Sequence, residues 1–174
     1  MDREEQREQL ERLMEEYGTQ LLRMCAVYLR DCDLAQDAVQ DTFVKAYRHL
    51  HAFRGECGMK SWLMGIAINT CRDYLRTAWF RHIDRRMDTD KLPELPAPDD
   101  FRDHTVFAEV NRLPKRYREV ILLRYYQGMK LKETADALQL STSAVKQRMK
   151  RANAILRDRL KEWYFDEEWI SEAR

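Results

Sequence analysis

Apolar residues recur at three- and four-residue steps along most of the chain, the period of an amphipathic helix. Leu10, Leu13, Met14, Tyr17, Leu21, Met24, Cys25 and Tyr28 line one face of a first helix. The spacing predicts a second helix over 33–50, with Asp33 as its cap and Gln36 in the reciprocal capping position. Its apolar face is Ala35, Ala38, Val39, Phe43, Ala46, Tyr47 and Leu50, while Asp37, Gln40, Asp41, Val44, Lys45 and Arg48 fall on the other side. A loop bearing Gly55 and Gly58 precedes a third helix over about 60–76, with Trp62, Leu63, Ile66, Ala67, Thr70, Cys71 and Tyr74 inward.

After residue 80 the periodicity stops. Three of the four prolines (Pro93, Pro96, Pro98) sit in the stretch LPELPAP. Proline removes a backbone donor and disfavours helix in the residue before it, so 81–105 reads as a linker. Helical periodicity resumes in Val120, Ile121, Leu123 and Arg124, and Gly128 ends that helix. A short helix over 131–138, a turn at Gln139, Leu140 and Ser141, and a longer helix over 142–163 follow. Leu131, Ala135 and Leu138 share one face, Leu140 plugs the turn, and Val145, Met149, Ala152 and Leu156 share the next face. This is the spacing of a DNA-binding helix-turn-helix. Lys130 stands where a Ser or Thr cap is expected, and Gln139 where a left-handed residue, often Gly, is expected. The expected fold is all-α: two small helical domains joined by a Pro-containing linker, the C-terminal one with the helix-turn-helix. Their bounds are 1–80 and 106–164, with a tail over 165–174.

Charge adds a partner to this layout. The net charge is only +1, but 112–161 holds fourteen Lys/Arg against four Asp/Glu, and 1–80 holds eleven against thirteen. The tail is acidic. A basic block in a nearly neutral chain points to a polyanion. Ser143, Lys146, Gln147, Lys150 and Arg151 project from the outer face of the last helix, and such side chains donate to phosphates and base edges in the major groove. The four cysteines form no Cys-x-x-Cys pair and the histidines lack zinc-finger spacing, so free thiols near a core are expected, not a metal site. Neither a phosphate-binding Gly-rich loop nor a nucleophile–base constellation is present, so neither cofactor nor enzyme activity is expected. No apolar run is long enough to span a membrane, and the charged N-terminus lacks a signal-peptide core, so a cytoplasmic protein is expected.

The segments LAQDAVQDTFVKAYRHL and FRGECGMKSWLMGIAINTCRDYLR strongly resemble region two of extracytoplasmic function sigma factors, members of the sigma-70 superfamily. The segment LPKRYREVILLRYYQGMKLKETADALQLSTSAVKQRMKRANAIL resembles region four of the same family. The resemblance implies a non-enzymatic subunit that binds core RNA polymerase and directs promoter-specific initiation. It implies docking of Asp37, Gln40 and Asp41 on the beta-prime clamp helices, and of the helix near 117–124 on the beta flap. Arg54, Lys60, Asn69, Arg72 and Arg76 match its reader of the melted minus-ten strand. Lys146, Gln147 and Lys150 match positions that read the duplex minus-thirty-five element, with Ser143, Arg148 and Arg151 on phosphate. Ile68 and Asn153 stand where the family often carries basic residues. Promoter DNA, the polymerase core and an anti-sigma factor are the partners implied. From the residues alone, two other readings stay open: a helix-turn-helix regulator with an effector or dimerisation domain, and a helical adaptor. The first predicts a dimer on a palindromic site; the second predicts no salt-dependent DNA affinity.

Overall fold

A computed structural model describes residues 3–80 and 104–160. Residues 81–103 of the linker expected over 81–105, the end of the expected last helix and the acidic tail lie outside the described residues; His104 and Thr105, expected in the linker, begin a helix. Those described are helical, with no strand among them: α1 (Arg3–Leu29), α2 (Cys32–His49), α3 (Met59–Phe80), α4 (His104–Arg112), α5 (Lys115–Ile121), α6 (Leu131–Leu138) and α7 (Thr142–Leu160).

Local chemistry sets the ends. Arg30 stops α1 by taking a left-handed conformation, φ 57°, and its N–H reaches the Ala26 carbonyl at 2.8 Å. The next residue, Asp31, is extended, and its Oδ1 accepts the Leu34 N–H at 2.9 Å. The cap of α2 is therefore Asp31, not Asp33. Asp33 lies in the first turn, where its charge still complements the helix dipole. A π-type turn, Leu122–Tyr126, extends α5, with the Gln127 N–H on the Leu122 carbonyl at 2.9 Å. Gly128, at φ 61°, then ends the helix as its position predicted. Helix α4 had no separate sequence signature.

The expected inward residues form the core. Leu21, Met24, Ala35, Ala38, Ala46, Leu63, Ala67 and Cys71 are fully buried where α1, α2 and α3 meet. Val110, Val120, Leu122, Leu123, Met129, Val145 and Ala152 are equally buried in the second half. Met14, expected on the apolar face of α1, is 48% exposed. Thr42 is buried on α2 by donating its hydroxyl to the Ala38 carbonyl at 2.6 Å.

The two halves share one continuous apolar cluster, and α3 packs against α6. Gly65 lies against the backbone of α6. A Cβ built there would lie 2.7 Å from the Ala137 carbonyl oxygen. Glycine in a helix interior costs about 1 kcal/mol relative to alanine, and here it admits a neighbouring backbone. Ser61, Met64 and Ile68 are also buried, on the side of α3 that carries Gly65. The apolar residue at 68 is thus a core residue, 1% exposed.

Candidate nucleic-acid interface

The helix-turn-helix is built by complementary local contacts. Lys130 offers no side-chain cap, but Glu133 reaches back to its N–H at 2.7 Å, supplying half of a capping box. Gln139 is left-handed, at φ 55°, as expected for the turn. The Leu140 N–H returns to the Ala135 carbonyl at 2.9 Å. Ser141 Oγ then accepts the Ala144 N–H at 3.1 Å and caps α7. Ala135, Leu138, Val145, Ala152 and Leu156 are buried between the helices. The outer face is left to Ser143, Lys146, Gln147, Lys150 and Arg151, all exposed. Arg148 and Asn153 are half-buried at its flank.

The other sites gather on α2 and α3. Asp37, Gln40 and Asp41 form an exposed stripe on α2. The Tyr74 hydroxyl donates to Asp41 Oδ2 at 2.8 Å. Burial, and then Asp41, push that hydroxyl up to about 12. Ahead of α3, Gly55 is left-handed at φ 71° and Arg54 is exposed. Trp62 packs on Phe53, centroids 5.0 Å apart, as part of the fold. Asn69 and Arg76 are exposed, the latter 3.2 Å from Asp73.

Lys60 and Arg72, from the same predicted set, are engaged by the second half. Lys60 Nζ donates to the Gln127 carbonyl at 2.9 Å. Arg72 grips Glu119 with two nitrogens: Nε to Oε1 at 2.8 Å and Nη2 to Oε2 at 2.6 Å. Its Nη1 donates to Asn69 Oδ1 at 2.8 Å. Glu119 also accepts the Tyr28 hydroxyl at 2.6 Å, and the Arg118 guanidinium lies 4.9 Å from the Tyr28 ring centre. The Glu119 side chain is 2% exposed. Burial and the adjacent carboxylate push the Tyr28 hydroxyl far above its ordinary value, and the bond to Glu119 raises Arg72. A buried carboxylate needs this many donors, because stripping its water costs several kcal/mol. A cleft of about 500 Å³ lined by Arg72, Lys115, Arg116, Glu119 and Arg148 opens beside the pair. Burial lowers Lys115, and Arg72 and Arg118 add repulsion. Glu119 and Gln127 were not singled out from sequence, and Tyr28 was expected only on the apolar face of the first helix. The available signal was the apolar residues at 117 and 120–123, which flank Glu119 along the helix.

Cys25 and Cys71 are buried, with Sγ atoms 3.5 Å apart; Cys32 and Cys57 are half-buried, and none of the four is in a disulfide. No group of residues fit to hold a metal ion occurs among the described residues. No described helix is long and apolar enough to cross a membrane.

A capped helix-turn-helix with a basic outer face defines a DNA-binding class, and comparison with known proteins narrows it. Residues 13–81 match the model of sigma-70 region 2, and residues 106–155 that of sigma-70 region 4. The RNA polymerase sigma factor SigV of Bacillus subtilis is 31% identical over 140 residues, 79% of this chain and 82% of that one. The ECF RNA polymerase sigma factor SigX of the same organism is 28% identical, over 93% of this chain and 90% of its own. Among solved structures, CnrH in complex with the cytosolic domain of CnrY superposes with a TM-score of 0.69 at 30% identity, covering 89% of each chain. The sigma factor RpoE in complex with the anti-sigma factor NepR, from Bartonella quintana, shares the fold, with a TM-score of 0.68 at 22% identity over 88% of this chain and 98% of that one. The chain belongs to the sigma-70 family, as an alternative sigma factor of the extracytoplasmic function group.

Proposed function

We propose that this sigma factor works without catalysis, as the address of a cytoplasmic RNA polymerase core that supplies all the chemistry. Asp37, Gln40 and Asp41 dock on the beta-prime clamp helices, and the α5 region faces the beta flap. Lys146, Gln147 and Lys150 read the minus-thirty-five duplex, with Ser143, Arg148 and Arg151 on its phosphates. Arg54, Lys60, Asn69, Arg72 and Arg76 hold the melted minus-ten strand, where a base leaves its stack at a cost of a few kcal/mol. The carrying observation is the bare outer face of α7, with Lys146, Gln147 and Lys150 exposed behind a fully packed inner face. An anti-sigma partner follows by analogy with RpoE, whose complex with NepR shares this fold. The sigma-factor relatives leave the effector-binding regulator and the adaptor without support. The test is run-off transcription with purified core and this chain on a promoter library. Selective initiation is expected; initiation no more selective than with core alone overturns the proposal.

A further inference from the structure

The cleft beside Glu119 carries more positive charge than its own residues neutralise. Four cations line it: Arg72 from α3, Lys115 and Arg116 from the start of α5, and Arg148 from α7. They face one carboxylate, Glu119, which is already satisfied by two nitrogens of Arg72 and by the Tyr28 hydroxyl. The third nitrogen of Arg72 is held by Asn69. Among the described residues, no carboxylate forms an ion pair with Lys115, Arg116 or Arg148. Arg116 lies 4.7 Å from the Tyr117 ring centre, a contact that steadies the guanidinium but brings no negative charge.

Holding like charges together costs free energy, and Lys115 registers the cost. Burial lowers it from its ordinary value, and Arg72 and Arg118 repel it, against partial relief from Glu119 and Asp73. The packing of α5 does not require these cations, since Lys115 and Arg116 are exposed while Tyr117, Val120 and Ile121 are buried. An anion in the cleft would remove the repulsion.

Size and lining define that anion. A volume of about 500 Å³ suits a small molecule and excludes a duplex. No lining residue is aromatic, so no ring is offered for a base to stack on. Charge is therefore the property recognised. A cleft lined by one sign of charge concentrates counter-ions. Arginine forks grip phosphate oxygens in pairs, and lysine meets them as a point charge. Three such side chains, from two helices, suit an anion with several phosphoryl groups.

We propose that this cleft binds a polyphosphate anion, inorganic pyrophosphate or the phosphate chain of a nucleotide, held by Lys115, Arg116 and Arg148, with Arg72 adding its charge. Lys115 and Arg116 belong to neither the strand-reading nor the duplex-reading set, so the site does not depend on those readings.

The test is calorimetric titration of the full chain in about 0.15 M salt without divalent cations. Inorganic pyrophosphate is expected to bind about tenfold more tightly than orthophosphate, and to raise the thermal midpoint. ATP should match pyrophosphate, and AMP should bind as weakly as orthophosphate. Lys115→Ala and Arg116→Ala should each weaken pyrophosphate binding about fivefold. The double variant Lys146→Ala/Lys150→Ala, altered on the outer face of α7, should bind pyrophosphate as the wild type does. Equal losses in the two sets of variants would mean that the anion follows the general charge of this half, and overturn the site. So would the absence of both heat and thermal shift with pyrophosphate. Binding of ATP without binding of pyrophosphate overturns recognition of the phosphate chain.

Discussion

A lysine on an exposed helix face is ordinarily a solvated charge, and what distinguishes Lys146 is its setting. It projects from α7 one residue beyond Val145, which is fully buried and locks α7 against α6. Lys146→Ala is therefore expected to weaken binding to the cognate promoter duplex by roughly 1–3 kcal/mol, with the fold intact. Titration with fluorescent duplex checks the first half and circular dichroism the second. Unchanged affinity removes Lys146 from the reading set. The thiols allow a pH-dependent prediction. The contact with Cys71 and burial push the Cys25 thiol well above its ordinary value, and burial also raises Cys32 and Cys57. A raised thiol pKa means less thiolate at any pH below it, and thiolate is the reactive form. Iodoacetamide at pH 8 should leave Cys25 and Cys71 untouched in the native protein and modify Cys32 and Cys57 slowly, faster as pH rises. Intact-mass measurement counts the adducts. Residue identity made the outer face of α7 legible in the sequence, because Lys and Gln at helical spacing state their own chemistry. It left Glu119 and Tyr28 illegible, since one reads as a surface charge and the other as a core aromatic. Their bond spans 91 positions of sequence, and no local pattern encodes it.

At the scale of elements, periodicity located α1, α2, α3, α6 and α7, because each buries one stripe against a neighbour and the stripe is written in the sequence. Ends were harder. Asp31 and Asp33 are equally good caps by type, and the extended backbone at Asp31 decides between them. Losing a cap of this kind typically costs about 1 kcal/mol. Asp31→Ala should lower the thermal midpoint by a few degrees, and Asp33→Ala by less. Calorimetry of the two variants tests the assignment, and an equal loss would contradict it. The turn between α6 and α7 makes the opposite kind of prediction. Gln139 holds φ 55° without being glycine, a conformation that costs roughly 1–2 kcal/mol for a residue with a Cβ. Gln139→Gly relieves that strain and releases some chain entropy to the unfolded state, for a net stabilisation of about 0.5–1 kcal/mol. A denaturant midpoint moved downward instead would show that the side chain contributes to the turn. The region around 117–126 was the least legible element. Its apolar run 120–123 is flanked by Arg118, Glu119 and Arg124, and the π-type turn shifts the phase of the helix partway along.

At the scale of the whole molecule, the proline-rich stretch suggested halves that act separately, while the described residues pack them into one body. Both follow from the composition of the contact. The surface between the halves is rich in charge-assisted bonds from Arg30, Lys60 and Arg72, groups that water and phosphate solvate well once the halves part. The outer face of α7 is exposed while the two halves are packed together, so duplex binding by this half needs no rearrangement. With Lys146, Lys150 and Arg151 as its exposed cations and Arg148 at the flank, two to four phosphates neutralised would give a plot of log affinity against log salt a slope between about −2 and −4. Arg151→Ala should make that slope shallower by about one while lowering affinity for cognate and scrambled duplexes alike. Lys146→Ala should narrow the difference between those two duplexes. Equilibrium binding across a salt series separates the two roles, because a phosphate contact shifts the slope and a base contact shifts the preference. If the Arg151 variant lost sequence preference with no change of slope, its role and that of Lys146 would have to be exchanged, and α7 would lie in the groove rotated from the orientation proposed here.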